Sequence, residues 1–132
     1  MSFKKDNYKI VRKAISQEIA DIACSYFLLK REGTKFLYKH NIFKEDKYFG
    51  EFFDTQAGEN FCLYGDALMD TLLATLMPIV EKNTNLKLVP NYSYARIYEK
   101  NSLLTRHKDR PECEVSITLN LGGDIWPIFL DP

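Results

Sequence analysis

The chain of 132 residues has little with which to build a covalent or thiolate framework. It has three cysteines, Cys24, Cys62 and Cys113, far apart and odd in number. No Cys-x-x-Cys pair occurs, so neither a disulfide scaffold nor a thiolate zinc site is expected. The thiols read as free groups in a reducing cytosol, which places the chain in the cytoplasm. There is no net charge, with 18 basic and 18 acidic side chains. That balance gives no electrostatic reason to expect nucleic acid or an anionic membrane as partner. Long apolar runs are missing too. The longest, Leu72 to Val80, is interrupted by Thr75 and Pro78 and is too short to span a bilayer. The first residues, Met1-Ser2-Phe3-Lys4-Lys5-Asp6-Asn7, contain no apolar core of a signal peptide. Only two histidines are present, His40 and His107.

What remains is ordinary for one globular domain. Hydrophobic residues make up 45% and charged residues 27%, enough to bury a core. Aromatics reach 14%, which suits β-rich packing. Residues 1–90 read as a helical layer with an aromatic-rich loop, and residues 91–132 as a β region. Tyr8 to Ile15 alternates loosely, as a first strand would. Ser16 is placed to cap a helix, and Ile19, Ile22, Ala23, Tyr26 and Phe27 keep helical spacing to about Arg31. Glu32-Gly33-Thr34 should end it. From Phe36 to Phe61, aromatics mix with charges without a period. This stretch reads as a long loop whose rings fill the core edge or form one wall of a substrate cleft. His40, inside it, has no paired ligand nearby and reads as structural or solvent-exposed. A second helix spans 66–82, with Leu68, Met69, Leu72, Leu73, Leu76 and Met77 as its apolar face, and Pro78 should kink it.

Strand signatures follow at 92–98, 103–109, 113–121 and 125–130. The clearest is Val115, Ile117, Leu119 and Leu121 alternating with Ser116, Thr118 and Asn120. Gly122-Gly123-Asp124 signals a hairpin turn. Segments 92–98 and 113–121 should be neighbours, with both helices packed on one face of the sheet. On a strand, His107 and Asp109 project to the same side with Cα atoms roughly 6.5–7 Å apart. An imidazole and a carboxylate can converge on Fe(II), Mn(II) or Zn(II). Arg106, Lys108 and Arg110 would then face the other way. They form either a solvated basic face or a local positive potential that attracts a dianion.

Tyr94-Ala95-Arg96-Ile97-Tyr98, then Leu104-x-x-His107-x-Asp109-Arg110-Pro111, then Cys113 to Leu121 and Gly122 to Phe129 resembles the Fe(II)/2-oxoglutarate-dependent oxygenases. The similarity is to their prolyl-hydroxylase-like branch, of the type found in phage and marine bacterial genomes. It covers about residues 84–132. A looser likeness extends upstream through Phe49-Gly50 and Tyr64-Gly65-Asp66.

The resemblance implies an α+β chain built on a double-stranded β-helix, a jelly-roll or cupin-like fold of eight core strands. About four of those strands are legible, so the jelly roll is expected to be incomplete and 91–132 to be its first part. The resemblance also implies a facial triad in which His107 and Asp109 are the first two metal ligands. The third, a histidine followed by a basic residue, would lie further on, and no histidine follows Asp109. Tyr98 and Asn120 fall where the family contacts 2-oxoglutarate. The implied activity is that of a dioxygenase using Fe(II), 2-oxoglutarate and O2. Decarboxylation of 2-oxoglutarate to succinate and CO2 is coupled there to hydroxylation of a protein or small-molecule substrate. The chain is expected to be a truncated product or fragment, or to be completed by a second chain. It should self-associate through unpaired strand edges. The alternative is a non-catalytic remnant or binding module on the same scaffold.

Overall fold

A computed structural model describes residues 2–131. It is of mixed α+β class, with three helices and one two-stranded antiparallel sheet. The elements are α1 (Phe3–Asp6), α2 (Gln17–Lys39), β1 (Phe61–Tyr64), α3 (Ala67–Thr84) and β2 (Tyr94–Ile97).

Helix α2 begins as its sequence predicts. The Ser16 hydroxyl accepts the Ile19 N–H at 3.3 Å, satisfying one of the first-turn donors. It does not end at Gly33, although a mid-helix glycine costs about 1 kcal/mol against alanine. Contacts on the two extra turns outweigh that cost. Thr34 is buried and its hydroxyl donates to the Phe49 carbonyl at 2.9 Å. Tyr38 donates to the Gly50 carbonyl at 2.8 Å. Gly50 sits at φ 115° directly against the Phe61 ring, where any Cβ would collide. His40 caps the C-terminal end of α2 and is exposed; its Nδ1 donates to the Phe36 carbonyl at 2.9 Å.

Helix α3 is capped by Asp66, whose carboxylate accepts the Leu68 N–H at 2.9 Å. The same carboxylate accepts the Tyr26 hydroxyl at 2.7 Å, and Lys30 Nζ lies 3.8 Å away. One buried side chain therefore starts α3 and ties it to α2. Pro78 lies within α3 without ending it.

The core forms where both helices cover one face of the sheet. Ala23 and Phe27 of α2, Met69 and Leu72 of α3, and Phe61 and Leu63 of β1 make one buried cluster. Ala95, Ile97 and Leu121 pack against its edge. The register pairs Phe61 with Ile97, Cys62 with Arg96, Leu63 with Ala95 and Tyr64 with Tyr94.

Several expectations are corrected. Residues 8–15 form turns and irregular backbone, not a strand, and Lys13 at φ 56° breaks any extension there. The stretch 36–61 is not one long loop: it contributes the end of α2, three isolated bridges and the start of β1. β1 escapes the sequence pattern because three of its four positions are buried, which removes the alternation. The neighbour of β2 is β1, not residues 113–121. Segments 103–109, 113–121 and 125–130 carry no strand. A strand is defined by its ladder partner, and the main chain of 98–131 finds few partners. Among the described residues its bonds to other main-chain groups are Ser102 to Glu99, Thr105 to Gln56 and Cys113 to Arg110. Among the described residues no jelly roll is formed. No helix among them is long and apolar enough to cross a membrane.

Candidate functional site

His107 and Asp109 lie on the irregular segment after β2, and their side chains converge. His107 Nε2 is 3.7 Å from Asp109 Oδ1. The local backbone sets the tautomer. His107 Nδ1 is 2.7 Å from the Thr105 carbonyl oxygen, which can only accept, so Nδ1 carries the proton. With Nδ1 committed to the carbonyl, a neutral ring would present its Nε2 lone pair on the Asp109 side, the atom a metal ligand uses. The other carboxylate oxygen, Oδ2 of Asp109, accepts the Ser116 hydroxyl, which orients it. The pair therefore has one free imidazole nitrogen, one free carboxylate oxygen, and a hydrogen bond behind each.

The remaining expected features are dispersed. Tyr98 hydrogen-bonds elsewhere: its hydroxyl accepts Arg96 Nη1 at 2.9 Å, and its ring meets Trp126 edge-on at 4.0 Å. Asn120 is exposed and makes no side-chain hydrogen bond among the described residues. Arg106 pairs with Asp131. Arg110 lies 5.6 Å over the Tyr92 ring, whose hydroxyl accepts the Cys113 thiol at 3.6 Å. Among the described residues there is no group of three His, Cys, Asp or Glu side chains that could hold a metal ion. The donors fit a divalent ion held by two protein ligands, and they do not complete a facial triad.

A second polar cluster lies on the sheet face opposite the helices, and sequence reading did not find it. Asp54 accepts the Tyr94 hydroxyl at 2.5 Å, Arg96 Nη2 at 3.0 Å, and the Gln56 and Ala57 N–H groups at 2.8 and 2.9 Å. Arg96 also donates to Gln56 Oε1 at 3.0 Å, and its guanidinium lies between the Tyr94 and Tyr98 rings. Burial pulls the Asp54 carboxyl upward. The Tyr94 hydroxyl, the Gln56 N–H and the Arg96 guanidinium outweigh it and hold the group below the usual carboxylate range. Burial and the same carboxylate push the Tyr94 hydroxyl well up, so it keeps its proton. A paired carboxylate, a permanently charged guanidinium and a protonated phenol do no acid–base work at neutral pH. They clamp the 54–58 turn to β2 and fix where Tyr98 sits. The Tyr94-x-Arg96-x-Tyr98 period places three of these groups on one face; nothing in the sequence links them to Asp54.

Two surface clefts, of about 730 and 350 Å3, are lined by other residues. Phe52, Phe53 and Phe61 of the aromatic-rich stretch line the larger, with Arg31, Lys35 and Glu99. Arg31 donates to Glu99 across it at 2.8 Å. Comparison of the chain with family models, with curated proteins and with solved structures gave no match.

Proposed function

We propose that the chain carries the His-x-Asp portion of an Fe(II)/2-oxoglutarate-dependent dioxygenase. His107 Nε2 and Asp109 Oδ1 would hold the metal, and Tyr98 and Asn120 would face the co-substrate. On this reading the strand-patterned segments 103–109, 113–121 and 125–130 belong to a double-stranded β-helix whose ladder partners are further strands. The protein acts in the cytoplasm, on a protein or small-molecule substrate. One observation carries the reading: an imidazole with its Nδ1 proton committed to a carbonyl, and its Nε2 held 3.7 Å from a carboxylate oxygen two residues away. When bound, Fe(II) with 2-oxoglutarate and O2 supplies the oxidising chemistry. The chain's own part is to present two ligands, orient each through Thr105 and Ser116, and leave the other coordination positions open.

The test is anaerobic calorimetric titration of Fe(II) or Mn(II), with and without 2-oxoglutarate, into wild type and His107→Ala. Weak binding that 2-oxoglutarate strengthens and the variant lacks is expected. Equal binding by the variant would end the reading. A second reading, a binding module without catalysis, is favoured by the two-ligand donor set. Metal-dependent release of succinate from 2-oxoglutarate separates the two, since only the oxygenase reading predicts it.

A further inference from the structure

β1 is bonded along both edges, whereas β2 is bonded along one. Cys62 exchanges both of its main-chain bonds with Glu51, at 2.8 and 2.9 Å, and the Tyr64 N–H reaches Lys47 on the same side. Successive residues of a strand point their peptide groups to opposite edges. Phe61 and Leu63 therefore face β2, where the register sets them opposite Ile97 and Ala95. The N–H and C=O of Tyr94 and Arg96 must then point away from β1, and Tyr98 continues the row. Among the described residues no main-chain group outside the sheet pairs with Tyr94, Arg96 or Tyr98.

Exposed edges are commonly guarded by proline, lysine or a bulge. Tyr94–Ile97 has none of these, and its one charge, Arg96, is turned onto Asp54. We propose that this edge is an interface for β2 of a second copy of the chain. Antiparallel pairing about a two-fold axis would join the two sheets into one four-stranded sheet, ordered β1, β2, β2, β1. The side chains select the register. Centring on Arg96 would oppose two guanidinium groups, which is unfavourable. Centring on Ala95 puts a small residue at the axis and sets Arg96 opposite the partner's Tyr94. Arg96 already lies 5.0 and 5.6 Å from its own Tyr94 and Tyr98 rings, so the partner's Tyr94 would add a third phenol on the same face of the sheet. In that register Tyr94 and Arg96 each exchange two main-chain bonds with the partner strand. The zero net charge of the chain leaves no long-range repulsion between copies. The proposal is independent of the metal reading.

Amide hydrogen exchange on the wild-type chain at low and high concentration, with sedimentation of the same samples, tests it. Dimer formation should slow exchange at Tyr94, Arg96 and Tyr98, while Ala95 and Ile97 stay slow throughout. A second arm uses Ala95→Cys. The two-fold pair is of the non-hydrogen-bonded kind, with Cα atoms about 4.5 Å apart, within disulfide reach. Mild oxidation should give a reducible dimer that wild type, with its own three cysteines, does not give. A monomer at all concentrations overturns the proposal. So does a dimer whose formation leaves those three amides fast, because another surface would then hold it. Slow exchange at all three in a monomer overturns it too, because the chain would then cover its own edge.

Discussion

Residues 17–97 and residues 98–131 are both rich in large apolar side chains, yet only the first stretch buries them. Phe61 and Leu63 are each 1% exposed, whereas Ile125 is fully exposed and Phe129 is 92% exposed. Hydrophobicity does not separate the two regions; main-chain partners do. In the first, helices satisfy their own backbone, β1 is bonded on both edges, and apolar faces follow onto one core. In the second, segment 113–121 has the alternation of a half-buried strand but no ladder, so its apolar side chains reach the core at little more than Leu121. The His107–Asp109 pair lies on this second region.

The largest effect that would break this contrast is at Asp54. Asp54→Ala leaves the Arg96 guanidinium, whose side chain is 12% exposed, without its carboxylate. A loss of about 3–5 kcal/mol in denaturant unfolding is expected. The same group sets an acid limit. Its folded pKa lies below the unfolded value near 3.9, so its stabilisation is complete above that value and is lost as pH falls through the folded one. Wild type should therefore lose stability below about pH 4 more steeply than Asp54→Ala, as equilibrium unfolding against pH would register.

Next comes a matched pair. Phe61→Ala should cost about 3–5 kcal/mol through the cavity it leaves. Phe129→Ala should stay within about 0.5 kcal/mol of wild type, as surface substitutions do. Equal losses at the two positions would erase the distinction between the regions. A smaller effect is expected at Asp66→Ala, about 1–2 kcal/mol for the lost helix cap. Burial, then the bond to Asp66, pushes the Tyr26 hydroxyl up to about 12. Spectrophotometric titration of the variant should bring that value down. If it does not move, Asp66 is not the link between α2 and α3.

The two long helices were legible because each joins an apolar stripe to a capping side chain a few residues away, Ser16 for α2 and Asp66 for α3. The class, mixed α and β, followed from them and from the 92–98 signature, which forms β2 at Tyr94–Ile97. What failed depended on partners distant in sequence. The extension of α2 past Gly33 rests on Thr34 and Tyr38 bonding to Phe49 and Gly50. β1 has no alternation to read. The later strand signatures reported side-chain preference correctly and said nothing about the ladder they lacked. At the candidate site, His107 and Asp109 were paired through the period of a strand that 103–109 does not form; their side chains nonetheless lie 3.7 Å apart. The Thr105 carbonyl that sets the tautomer and the Ser116 hydroxyl behind Asp109 needed coordinates. The Asp54–Arg96 pair, 42 residues apart, carried no local signal.

His107 and Asp109 are proposed as a two-ligand metal site on the segment after β2, beside a packed core. The most direct measurement is the amide NMR spectrum of the labelled chain during titration with Mn(II), whose paramagnetism broadens only nearby signals. At pH 7.5 the loss of intensity should centre on residues 105–116 and leave Phe61, Leu63, Met69 and Leu72 sharp. In His107→Ala it should vanish. Broadening centred elsewhere, or unchanged in His107→Ala, would contradict the claim.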